Sequence, residues 1–166
     1  MTPSDKVFEA IIGQTLAHEG EYSNNPSDAG GETKYGISKR SYPNVDIKNL
    51  SLEQAKAIYK RDFWDNQGYS QIEDIALASK VFDLGVNMGT KNAVILLQRA
   101  LKANGFKNLS DDGIFGESTK FALSNSDPKR VLIALRSEAA SYYRRLVASN
   151  SSQSVFLKGW LNRAYT

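Results

Sequence analysis

The stretch Ala17–Ile37, AHEGEYSNNPSDAGGETKYGI, decides how the chain is read, because it breaks a run of helical patterns with a polar loop. It holds the single histidine, His18, the carboxylates Glu19, Glu21, Asp28 and Glu32, and the pair Gly30-Gly31. It offers little that fills a core. Its end, Thr33 to Ser38, carries the best strand signal in the chain and predicts a small hairpin. On its N-terminal side, Val7, Phe8, Ile11, Ile12 and Leu16 recur at helical spacing, so a helix runs into the loop, with Gly20 as a candidate stop.

Beyond the loop the pattern is helical to the end. SLEQAKAIYKRDFW opens with Ser51 and has Gln54 three residues on, a capping box, with Leu52, Ala55, Ile58, Tyr59 and Phe63 as its apolar face. DIALASKVFDLGVNMG begins after Asp74 and stops at Gly89; TKNAVILLQRALKANG runs from Thr90 to Gly105. NGFKNLSDDGIFGESTKFAL has turns at Asn104-Gly105 and Asp112-Gly113 before a short helix. Asp127 and Pro128 open a long helix, proline losing nothing at the first turn because its missing N–H has no helical partner there. A last short helix takes Val155, Phe156, Trp160 and Leu161. The expected fold class is mainly α, with one small polar loop and β-hairpin segment near the front.

Composition narrows the function. The 166 residues suit one domain or two small lobes, with 41% apolar and 23% charged residues. There is no cysteine and one histidine, so thiolate and histidine metal sites are excluded. No basic leader followed by an apolar run is visible, and no window approaches a membrane span. The reading is synthesis in the cytoplasm without stable membrane insertion. The formal charge of +3 comes from interspersed charges rather than a basic stripe, which makes nucleic acid a poor partner.

Glu19 is locally out of place. A carboxylate at a helix C-terminus meets the negative end of the dipole, and burial acts in the same direction; both favour a protonated form able to serve as a general acid. The alternative is a solvated surface glutamate. Asp28 is either an ordinary turn residue or a second carboxylate that handles water, with the Thr33 hydroxyl near it in sequence. Glu21 and Glu32 are rival carboxylates by spacing. Paired carboxyls flanking a cleft suit glycoside hydrolysis, one protonating the leaving oxygen and the other serving water or the sugar cation. Tyr22, Tyr35 and Trp64 (with Tyr69) offer flat surfaces for sugar rings, against the commoner fate of packing. Asn87 in GVNMG is either a sugar-binding amide or a helix-end residue. No serine–histidine arrangement, phosphate loop or dinucleotide fingerprint is present.

The segment HEGEYSNNPSDAGGETKYGISKR closely resembles the signature of the glycoside hydrolase family 108 lysozymes, phage-type N-acetylmuramidases whose usual form is an E-G-G-Y box followed by N-x-P-x-D-x-G-G-x-T-K-Y-G-I. IYKRDFWD, VFDLGVNMG and FLKGWLNR continue the resemblance over nearly the whole chain, and DDGIFGESTKFAL resembles the family's predicted peptidoglycan-binding part. The resemblance implies a lysozyme-like fold, with residues 1–90 as the catalytic region and 91–166 as a helical peptidoglycan-binding region, packed as one compact unit. It implies an endolysin that cuts the β-1,4 bond between N-acetylmuramic acid and N-acetylglucosamine in peptidoglycan, with Glu19 as the acid and Asp28 and Thr33 as its partners. Thr33 comes one residue early against other phage lysozymes, and Glu21 replaces the usual glycine. A lytic transglycosylase and a non-catalytic wall-binding module are the alternatives. No metal or organic cofactor is implied. A monomer released to the wall through a separate holin-type pore is expected.

Overall fold

The computed structural model of the protein describes residues 3–19, 22–24, 31–65 and 67–166. The chain divides into two compact units, Met1–Ile75 and Ala76–Thr166. The fold is mainly α, as the sequence patterning predicts.

The first unit opens with α1 (Pro3–Glu19), which buries Phe8, Ile11, Ile12 and Leu16 on the stripe read from the sequence. A three-stranded antiparallel sheet follows: β1 (Ser23–Asn24), β2 (Glu32–Lys34) and β3 (Ile37–Ser38), in that spatial order. Thr33 pairs with Ser23 on one side and Ser38 on the other. Lys34 pairs with Ile37, so Tyr35 and Gly36 form a two-residue hairpin with φ of +52° and +78°. Both positive angles match the twist of the strands, at a steric cost for tyrosine that glycine does not incur. The turn has an anchor: the buried Tyr59 hydroxyl donates to the Tyr35 carbonyl at 2.5 Å. Tyr59→Phe is expected to cost about 1–2 kcal/mol of stability, the usual penalty for a buried polar group that loses its partner. A urea midpoint unchanged from the native chain would refute that anchoring role.

The capping box forms as read. Ser51 accepts from the Gln54 backbone N–H, and the Gln54 side chain returns the bond to the Ser51 N–H. It starts α2 (Leu52–Tyr59), which widens into a π-helical turn over Lys60–Asp65. This turn changes the predicted face. At α-helical pitch Phe63, four residues after Tyr59, would be the next buried position; a π turn advances the face by five, and Trp64 is buried instead, with Phe63 half-buried. Trp64 sits 5.7 Å from the Phe8 ring and edge-on to Tyr69 at 6.4 Å. Leu52, expected on the apolar face, is exposed. At the start of the wide turn Lys60 pairs with Asp5 at 3.1 Å and Asp65 at 2.8 Å. Tyr42 donates to Asp62 at 2.8 Å; burial and that bond raise its phenol to about 12, while the Arg61 guanidinium holds the Asp62 carboxyl below its ordinary value.

The second unit comprises α3 (Ile75–Met88), α4 (Thr90–Ala103), α5 (Glu117–Ser124), α6 (Pro128–Ser149) and α7 (Leu157–Ala164), with a 3-10 turn at Ser151–Phe156. Gly89, with φ of +96°, turns the chain between α3 and α4. Asp127 caps α6 by accepting from the Lys129 N–H, with Pro128 in the first turn. Alanines 93, 100, 139 and 140 are completely buried, which lets α4 and α6 approach closely. The last apolar group differs from the expectation. Val155 and Phe156 lie in the 3-10 turn and are 75% and 54% exposed, whereas the Trp160 ring stacks on Tyr143 at 5.4 Å.

Lys80 is buried on α3, its ammonium donating to the Arg163 carbonyl at 2.6 Å, with Asp83, Arg136 and Arg163 as its charged neighbours. Burial, against the opposing pull of Asp83, lowers its pKa from 10.5 to about 8. Below pH 8 the group is charged both folded and unfolded, and its desolvation penalty is constant. Between pH 8 and 10.5 the unfolded chain holds more protons, so stability rises with pH in that window. Against a Lys80→Met chain, the native protein is therefore expected to gain relative unfolding free energy from pH 8 to pH 10 in paired urea titrations. A difference that stays flat across this range would rule the effect out.

Candidate active site

Glu19 is the last residue of α1, so its backbone stands at the C-terminal end of the first helix, ahead of the sheet. Asp28 and Glu21 lie outside the described residues. Thr33 is the central residue of β2, half-buried and paired on both sides. Alternation along the strand sends its side chain to the face opposite Glu32 and Lys34.

The sheet gathers several of the sequence candidates. Tyr22, just before β1, donates its hydroxyl to Glu32 Oε2 at 2.7 Å, and that bond raises the phenol above its ordinary 10.0. Among the rival carboxylates, Glu32 thus has a committed partner in the described residues. The Tyr35 ring sits at the hairpin tip, half-buried, with the Lys34 ammonium 5.6 Å from its centroid. Tyr22 and Glu32 thus form a bonded pair on one face of the sheet, Thr33 faces the other side, and the Tyr35 ring lies at the hairpin tip.

Trp64 is not part of such a surface. It is completely buried between Phe8 and Tyr69, so the expectation that it stacks on sugar is replaced by core packing. Tyr69 is buried as well, its hydroxyl without a partner among the described residues and its pKa raised by burial. The fivefold rather than fourfold step of the π turn puts Trp64 inward, and nothing in the local pattern signals it.

Asn87 lies one residue before the end of α3 and is exposed. Its side-chain oxygen accepts from the Tyr143 hydroxyl, which leaves the amide N–H groups for other acceptors. Tyr143, 56 positions away, was not legible as its partner from spacing. Among the described residues no group of three His, Asp or Glu side chains is placed to hold a metal ion, and no described helix is long and apolar enough to cross a membrane.

The sequence profile of the glycosyl hydrolase 108 family matches residues 12–89, a span that includes Glu19, Asp28, Thr33 and Asn87. The profile described as a predicted peptidoglycan domain matches residues 92–165. No curated protein matches the chain. Among solved structures, that of Brucella abortus SagA shares the fold, with a TM-score of 0.78 over 96% of this chain and 90% of that one, at 21% identity. Residues 12–89 thus carry the glycosyl hydrolase 108 match and residues 92–165 the predicted peptidoglycan domain, and together they support a glycoside-hydrolase-type enzyme directed at peptidoglycan.

Proposed function

We propose that the chain is a muramidase that hydrolyses the β-1,4 bond between N-acetylmuramic acid and N-acetylglucosamine, with Glu19 as the general acid. The observation that carries this reading is the position of Glu19 at the end of α1, directly ahead of the polar sheet and inside the span matched by the hydrolase family. Glu19 gives its proton to the bridging oxygen as the bond to the muramic anomeric carbon breaks. Asp28, with Thr33, directs a water to that carbon or steadies its positive charge. The water's hydroxyl remains on the muramic ring, and its proton returns to a carboxylate. Tyr22 and Tyr35 offer ring faces to the sugars. No cofactor is required for this chemistry.

The cellular reading is that of a phage-type endolysin, acting as a monomer. It is made in the host cytoplasm and reaches the wall after a separate holin-type pore breaches the membrane. Expression alone should then leave cells intact until the membrane is permeabilised.

Mass spectrometry of fragments released from purified peptidoglycan tests the reaction. Reducing muramic ends from the native chain, lost in Glu19→Gln, are the expected result. Anhydro-muramic ends would make the protein a transglycosylase. Binding without any release would make it a wall-recognition module.

A further inference from the structure

The described second unit carries a groove of about 510 Å³ that the hydrolysis reaction leaves unused. One wall is the chain leaving α4, with Phe106, Lys107 and Asn108; the other is the start of α5, with Glu117, Ser118 and Phe121. Leu109 and Ala122 are buried at its floor. Phe121 is 64% exposed, an unusual state for a large apolar ring lining a concavity. It is not loose: Phe106 meets it edge-on at 6.4 Å and 86°.

The walls are set before any ligand arrives. Gln98, buried in α4, donates to Thr119 Oγ1 of α5 at 3.1 Å and to the Ile114 carbonyl at 2.9 Å, and accepts from the Gly113 N–H at 2.9 Å. Gly113, with φ of +79°, packs so tightly that a Cβ there would stand 2.7 Å from Lys91 Cγ. One buried amide thus ties α4, the turn and α5 together, and a site held in this way spends little binding energy on ordering.

The lining selects the ligand. The lining carries one lysine, Lys107, and one glutamate, Glu117, which pairs with Lys120 at 3.5 Å, so the groove presents at most a single positive charge, too little to hold a polyanion. What remains is an aromatic surface flanked by an amide and a hydroxyl. A pyranose presents the complement, with apolar C–H faces for the ring and acetamido and hydroxyl edges for Asn108 and Ser118. We infer that the groove between residues 105–109 and 117–122 binds the glycan strand of peptidoglycan as a second, non-catalytic sugar site. The inference rests on the wall-directed reading above, and on the match of residues 92–165 to a predicted peptidoglycan domain.

The test uses the full chain bearing Glu19→Gln, so that the strand is not consumed, and a tetrasaccharide of alternating N-acetylglucosamine and N-acetylmuramic acid stripped of peptide. Amide resonances of 105–109 and 117–122 are expected to shift on titration. Phe121→Ala should weaken binding about tenfold, which corresponds to about 1.4 kcal/mol. Phe121→Tyr should retain it, and Ile133→Ala, an exposed apolar residue outside the groove, should change nothing. Equal affinity of Phe121→Ala, silence of these resonances, or a response to free stem peptide in place of the glycan would each overturn the proposal. The catalytic reading separates cleanly. Release of muramic ends that persists in Glu19→Gln, with groove resonances still shifting, leaves the groove standing and removes the acid. Glu19-dependent release with a silent groove does the reverse.

Discussion

Glu19→Gln is expected to lower the release of reducing muramic ends about 10²- to 10⁴-fold, the range supplied by one positioned general acid. Glutamine keeps the size and hydrogen-bonding reach of the side chain but has no proton to give. The bridging oxygen must then leave as an alkoxide. The fold should survive, because the change preserves volume at the end of a helix whose buried stripe lies earlier, at Phe8 to Leu16. The informative control is Glu32→Gln. Glu32 already accepts a bond from Tyr22, and its place in β2 is set by the pairing of Asn24 with Glu32. Removing its charge should therefore change the rate less than about tenfold, within reach of an indirect electrostatic effect. A larger loss in Glu32→Gln than in Glu19→Gln, measured with matched circular dichroism, would reverse the assignment of the acid.

Trp64→Ala is expected to cost about 3–5 kcal/mol, the range for deleting a buried aromatic side chain. That is a large part of the about 5–15 kcal/mol that holds a typical domain together. The ring is completely buried and borders Phe8 from α1 and Tyr69 from the 3-10 turn Tyr69–Gln71, so its loss empties the place where three elements meet. Little can collapse into the space, since Phe8 and Tyr69 are held by their own backbones. Phe63, half-buried and against Tyr59 at 5.3 Å, should cost clearly less when truncated. Urea denaturation of the two variants decides the matter. If Phe63→Ala is the more damaging, the inward face follows α-helical pitch and the wide turn does not govern the core.

What the sequence makes legible here is local. Ser51 and Gln54 find each other because both lie within one helical turn, and Asp127 with Pro128 acts on the backbone beside it. The hairpin at 33–38 is visible because Gly36 tolerates positive φ. Pairings at long separation are not legible. Tyr59 reaches the Tyr35 carbonyl across 24 positions, and Tyr143 reaches Asn87 across 56, through packing that no spacing rule encodes. The same holds for the candidate site. Glu19 stands out because a carboxylate at a helix end conflicts with the dipole, a one-residue argument. Trp64 misleads because aromatic character alone does not say which way a ring points, and the π turn that decides it has no composition of its own.

The wide turn over Lys60–Asp65 also bears on the lengths this chain can tolerate. A π turn holds one residue more than an α-helix needs to cover the same rise, so it amounts to an insertion accommodated without moving the flanking elements. Excising one residue between Tyr59 and Trp64 would return the segment to regular pitch with the tryptophan still facing inward. Excising one elsewhere in α1 or α2 would swing every following side chain by about 100°, turning the buried stripe toward water. The segment is thus a site where relatives of this chain can differ in length by a single residue and keep the same core.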